Sequence, residues 1–234
     1  MARHCFSTRE LALEDVRVDD PASWNDLARA LGIELDALVR LRQVHCADVY
    51  VAEARLHPTP FSYDNWPEAD IAVTDDPAVA VSVRAADCVP ILLADRRSGA
   101  VAAIHAGWKG TAAGAAIVAV RALTSRYDAR PADVIAAVGP GIGPCCYEVG
   151  PDLSEHFSSH PEAPAWFTRE AKPHLDLWRA TRDQLARAGI PPQQIHVCEL
   201  CTFHHPALFH SYRRDGTSAG RLVAAIRSEP GRTP

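Results

Sequence analysis

The chain has 234 residues, 47% hydrophobic and 23% charged, a mixture that excludes disorder, collagen and coiled coil as whole-chain descriptions and predicts one globular domain over residues 1–234. A net charge of −5 provides no broad electropositive field, so neither nucleic acid nor an anionic membrane is an expected partner. No window reaches the roughly 18 consecutive apolar residues of a membrane span, and the first ten residues lack the apolar stretch of a secretory signal, which together predict a cytoplasmic protein. The seven cysteines are odd in number and irregularly spaced, so free thiols are expected rather than a disulfide framework.

In chain order, the spacing predicts a short helix from Ser23 to about Leu31 and a further turn or two of helix over 34–41. Residues 57–67 carry prolines at 58, 60 and 67 and read as irregular. Apolar runs suited to buried strands occupy 79–83, 89–94, 101–105 and 134–138. An Ala-rich helix is expected over 111–127 and a second over 175–188, stopped by Gly189 and two prolines. The stretch 160–173 reads as a surface excursion, and 195–197 as a strand. The fold class is therefore mixed α/β.

The segment Asp95-Arg96-Arg97-Ser98-Gly99 between two apolar runs reads as a hairpin turn. If Ala94 pairs with Gly99, the register sets Cys88 opposite His105, and a thiol meets an imidazole across 17 residues of sequence. Pro90 cannot donate to a ladder, so its strand is expected at an edge or bulged at its start. Cys88 and His105 admit a packing role, a nucleophilic dyad, or a metal site joined by His45 of Arg42-Gln43-Val44-His45. Two imidazoles and one thiolate leave a fourth coordination position open for reaction.

Three further motifs draw attention. The loop from Gly139 to Gly150 follows a strand, and its backbone N–H groups could line a pocket for an anion or a purine edge. Cys198 and Cys201 have metal-like C-x-x-C spacing with His204 and His205 close by, although a strand pattern favours simple burial of Cys198. Arg213 and Arg214, beside Ser211 and Gly216, could grip phosphate or a carboxylate, or could form a solvated turn with Asp215.

Taken together, Arg42-Gln43-Val44-His45, Ala86-Asp87-Cys88-Val89-Pro90-Ile91, His105-Ala106-Gly107-Trp108-Lys109-Gly110-Thr111, the 139–150 loop, Asp176-Leu177-Trp178, Cys201-Thr202 and Ser211-Tyr212-Arg213-Arg214-Asp215-Gly216 closely resemble the laccase-domain proteins. That family was first described as multicopper polyphenol oxidases and later as purine nucleoside phosphorylases with adenosine deaminase activity, and a bacterial branch is called peptidoglycan editing factor. The resemblance implies mixed β-sheets sandwiched by helices, with a metal held by His45, Cys88 and His105. The sequence departs from the family pattern at Cys5 and Cys46, where glycine is common, at Lys109, where arginine is frequent, and at His204, often a cysteine.

The resemblance implies a zinc-dependent enzyme, copper being the second candidate metal, that acts on purine nucleosides and phosphate, including adenosine and methylthioadenosine. Cys88, His105 and Asp87 are the candidate catalytic residues, Asp87 as a proton shuttle. Gln43, Arg213 and Arg214 are the candidate substrate-binding residues. The alternatives are a copper polyphenol oxidase, a Cys88–His105 hydrolase acting in peptidoglycan precursor editing, and a metal-binding scaffold without turnover.

Overall fold

The computed structural model describes residues 2–11, 21–53 and 62–229. The expected irregular stretch 57–67 therefore lies partly outside the described residues. Among the described residues, ten strands form two sheets. The smaller contains β1 (Ala2–Phe6), β2 (Leu38–Val39), β5 (Ala80–Ala85) and β10 (Leu222–Ser228), in the order β1-β10-β5-β2. The larger contains β3 (Val49–Val51), β4 (Ile71–Thr74), β6 (Val89–Asp95), β7 (Val101–Ala106), β8 (Val134–Val138) and β9 (Ile195–Val197), in the order β3-β4-β7-β6-β8-β9. The α-helices among the described residues are α1 (Pro21–Leu31), α2 (Trp108–Ala112), α3 (Ala115–Tyr127), α4 (Leu177–Arg187) and α5 (Tyr212–Asp215).

Alternation along the strands builds the layers. Val101 and Ala103 of β7, Leu92 of β6, Val81 and Val83 of β5 and Ala224 and Ile226 of β10 pack into one cluster between the sheets. The other face of β7 and β6 sends Ala102, Ile104, Ile91 and Leu93 against Ala116, Ala119 and Leu123 of α3 and Leu185 of α4. The outer face of the small sheet sets Val223 and Ala225 against Trp24, Leu27 and Leu31 of α1. Strands covered on both faces read as unbroken apolar runs, which is why β6 and β7 are visible in the sequence, whereas β8 is apolar throughout although Ile135 and Ala137 on its second face are only half-buried. The outcome is the expected architecture, mixed sheets sandwiched by helices.

Local departures from the expected elements have identifiable causes. Residues 34–41 form only a single 3₁₀ turn, Leu35–Ala37, before Leu38 and Val39 enter the small sheet beside β5. Burial of these two side chains in the sheet outweighs the local helical spacing. The helix expected over 111–127 begins earlier, at Trp108, and breaks at Gly114, whose φ of 75° is left-handed. The 160–173 stretch is not a mere surface excursion, because it buries His160, Ala163 and Trp166, the last donating from its indole nitrogen to Asp183 (2.7 Å).

The β6–β7 hairpin forms with a register displaced by two residues from the expected one: Ala94 pairs with Val101 and Pro90 with His105. The turn is the four residues Arg96-Arg97-Ser98-Gly99. The Asp95 carboxylate accepts from the Ser98 N–H (2.9 Å), and Gly99 takes a left-handed φ of 79°. An even displacement preserves the face of every side chain, so Cys88 becomes a diagonal rather than a direct neighbour of His105. β6 is interior, between β7 and β8, and not at an edge. Pro90 is tolerated there because it lies one residue beyond the last rung of the β6–β8 ladder, Ile91–Val138, where only its carbonyl is used, accepting from the Gly139 N–H (2.9 Å).

Candidate active site and metal centre

His105 shares the face of β7 that carries Val101 and Ala103, and so points into the layer between the sheets at its open end. It is 4% exposed. Its Nδ1 meets the fully buried carboxylate of Asp70 at 2.6 Å, which leaves Nε2 facing Cys88 and His45. The second Asp70 oxygen accepts from the N–H groups of Val44 and Cys46, each at 2.9 Å. These two amides flank His45, held in a left-handed conformation at φ 63°. A single carboxylate thus orients one imidazole and folds the loop that presents the other. Such an outer carboxylate–histidine pair fixes the ring orientation of metal-binding histidines.

Cys88 follows Asp87, which is itself left-handed at φ 86°, and this kink aims the thiol across the start of β6. Donor atoms of His45, Cys88 and His105 all lie within 4.8 Å of one another, and the two imidazole centroids are 5.0 Å apart. Burial alone would raise the Cys88 thiol. The facing His105 and His45 outweigh burial and hold it down at about 6. Burial would likewise depress His105, but the Cys88 sulfur and Asp70 push it up to about 9. A thiolate and two imidazoles converging on one point form a donor set suited to zinc or copper, with a fourth position open.

Space around the triad is tightly controlled. A Cβ on Gly107 would lie 2.6 Å from Cys88 Sγ and 3.4 Å from a His45 ring carbon. Gly107→Ala is therefore expected to displace the thiol and lower zinc occupancy after desalting by at least about tenfold. Metal analysis of the purified variant beside wild type measures this, and unchanged occupancy would refute the tight packing.

The triad forms the floor of a cavity of about 590 Å³, within the range of small-molecule sites. Of the residues singled out in the sequence, Gln43, His45, Asp87, Cys88, His105 and Arg213 line it. Arg214 does not. Its guanidinium donates to the carbonyls of Thr202, Phe203 and Phe209 and to Asp215, so it braces the backbone behind the wall. The Gln43 amide exchanges two hydrogen bonds with the backbone of Arg84 (2.7 and 2.8 Å), extending the end of β5. Asp87 accepts from the Thr202 hydroxyl and from the Arg213 N–H, both at 2.6 Å. The Arg213 guanidinium lies over the Tyr147 ring and donates to the Glu148 carbonyl (3.0 Å).

Several lining residues are given no role by the sequence, although Trp108, Tyr147 and Tyr212 lie inside its motifs. Arg84 and Arg221 add positive charge, and Tyr63, Trp108, Tyr147 and Tyr212 add aromatic surface. The 139–150 loop contributes the side chains of Ile142 and Tyr147 rather than the expected backbone N–H groups. Those of Gly139, Gly141 and Ile142 donate to the carbonyls of Pro90, Leu200 and Asp87. Cys198 is exposed rather than buried. Among the described residues no helix is long and apolar enough to cross a membrane.

Fold and site together define a two-sheet α/β protein with a Cys-His₂ donor triad at the floor of an aromatic, arginine-bearing pocket. The chain belongs to the multi-copper polyphenol oxidoreductase laccase family, whose model matches residues 9–229. It is 38% identical to "Purine nucleoside phosphorylase YlmD" of Geobacillus stearothermophilus, over 92% of this chain and 81% of that one. It is 35% identical to "Adenosine deaminase RL5" of an unknown prokaryotic organism, over 86% of this chain and 78% of the relative. The crystal structure of the hypothetical protein YfiH from Bacillus licheniformis superposes with a TM-score of 0.90 at 30% identity, covering 97% of this chain and 93% of that chain.

Proposed function

We propose that this chain is a zinc-dependent purine nucleoside phosphorylase that also deaminates adenosine and cleaves methylthioadenosine. The observation that carries the reading is one cavity that combines a metal-donor triad, aromatic side chains and three arginines. The relatives named for purine nucleoside phosphorolysis and adenosine deamination support it. Aromatic faces suit a purine ring, and guanidinium groups suit phosphate. Bound at the triad, zinc supplies a Lewis acid beside the base or the attacking oxygen.

In phosphorolysis a phosphate oxygen attacks the ribose C1′ while the bond from C1′ to the purine nitrogen breaks. The electron pair passes to the purine, which takes up a proton, and ribose 1-phosphate results. Arg213 orients the phosphate in this reading, a role supported by its position in the pocket wall, where Tyr147 and Glu148 hold it. Asp87, a carboxylate of the pocket lining, exchanges a proton with the base or with water in this reading. Its oxygens are fixed by Thr202 and Arg213 but keep further lone pairs. In deamination, water adds at the purine carbon bearing the amine, and ammonia leaves.

Zinc-loaded protein is expected to convert inosine, adenosine and methylthioadenosine to the free base only when phosphate is present, and adenosine to inosine without it, as resolved by chromatography. A chelator is expected to abolish both reactions. Absence of turnover in every combination, with metal shown to be bound, would overturn the proposal. Activity lost to a thiol alkylator but not to a chelator would favour the hydrolase reading of Cys88 and His105. Phenol-dependent oxygen consumption by copper-loaded protein, without nucleoside turnover, would favour the oxidase.

A further inference from the structure

A second cluster of metal-binding atoms lies outside the triad. Cys145, Cys146, Cys201 and His204 each offer one donor atom, and these four atoms lie within 4.8 Å of one another. Cys145 Sγ and His204 Nδ1 are 3.6 Å apart. Zinc bond lengths to sulfur and nitrogen at a tetrahedral angle place such a pair about 3.6 Å apart. The cluster combines two segments far apart in the chain. Cys145 and Cys146 sit in a turn where the Gly143 carbonyl accepts from the N–H groups of both Cys146 and Tyr147, each at 3.0 Å. Cys201 lies beside Gly141 in an isolated bridge, and its sulfur accepts from the Gly143 N–H at 3.3 Å.

We propose that Cys145, Cys146, Cys201 and His204 form a second metal site, a closed Cys₃His zinc site that clamps the 139–150 loop to the 198–215 segment. Four protein donors fill a tetrahedral shell, so this site holds its ion structurally and, unlike the triad, offers no open position. Zinc displaces three thiol protons on binding and neutralises sulfurs that would otherwise crowd one another as thiolates. The clamp has a clear mechanical consequence. Tyr147 follows Cys146 directly, and Thr202, next to Cys201, holds Asp87, so the ion would fix two walls of the pocket from behind. Cys198, although at C-x-x-C spacing from Cys201, is no part of the cluster.

The test uses the full chain, reduced with a phosphine and loaded with Co²⁺ or Zn²⁺. Wild type is expected to hold two zinc equivalents and Cys88→Ser one. The cobalt form of Cys88→Ser is expected to show the intense sulfur-to-cobalt absorption of a tetrahedral, thiolate-rich site. Adding Cys145→Ser and His204→Ala removes two exposed donors, so the fold survives, as circular dichroism would verify, while the remaining equivalent and its absorption are lost. With Cys88 intact, the same two substitutions leave one equivalent. A Cys88→Ser protein that binds no ion, or cobalt absorption unchanged by the two added substitutions, would overturn the site.

Discussion

Replacing Cys88 with serine is expected to lower zinc affinity at the triad by well over about 100-fold, beyond what loss of an outer-shell partner costs, and to remove nucleoside turnover with it. Serine nearly matches cysteine in size and leaves Gly107, Asp70 and both histidines in place. It cannot supply an anionic donor near neutral pH, whereas the Cys88 thiol is held at about 6 by the facing imidazoles despite its burial. Metal titration and kcat/KM at a fixed zinc concentration check both effects. Circular dichroism should be unchanged. Full activity in the serine variant would remove Cys88 from the centre.

Asp70→Asn is expected to weaken zinc binding by about 10–100-fold while leaving all three donors present. Asp70 accepts on both oxygens: His105 on one, and the Val44 and Cys46 amides on the other. An asparagine whose carbonyl keeps the loop amides turns its NH₂ toward His105 Nδ1. That forces the imidazole proton onto Nε2, the nitrogen that must be bare to bind the ion. Excess zinc should restore much of the lost activity, which a merely misfolded variant would not show. The acid limb of stability should change as well. Burial pushes the Asp70 carboxyl up, but the bonds to His105 and Cys46 outweigh it and hold it at about 2, below its ordinary 3.8. The stability this provides is complete above 3.8 and lost as pH falls through about 2, so the asparagine variant lacks that portion of the acid dependence. Acid titration of unfolding in the two metal-free proteins measures the difference.

Much of this centre was legible in the sequence because its parts are local. Two apolar runs around a polar, Gly-ending turn bring Cys88 and His105 onto one face, and the two-residue error in register did not matter because side chains alternate with a period of two. The family-like motif around His45 supplied the third donor. What stayed hidden depends on distant pairings. Asp70 precedes an unremarkable apolar strand, and nothing local shows that its carboxylate serves two histidine-bearing segments. Arg84 and Arg221 reach the pocket only because β5 pairs with β10, a strand far along the chain from it, with Ala85 opposite Leu222. Strand β1 has mixed exposure and is fixed by its partner β10, which leaves little pattern to read. The Cys145, Cys146, Cys201 and His204 cluster joins segments more than fifty residues apart. C-x-x-C spacing instead pointed to Cys198, a residue that faces solvent.

The most direct measurement is a crystal structure of zinc-loaded protein soaked with a purine nucleoside, with anomalous scattering recorded at the zinc edge. An anomalous peak is expected about 2.0–2.3 Å from the donor atoms of His45, Cys88 and His105, with the nucleoside in the adjoining cavity. A zinc-saturated crystal with no peak there, or with the nucleoside bound away from that cavity, would contradict this expectation.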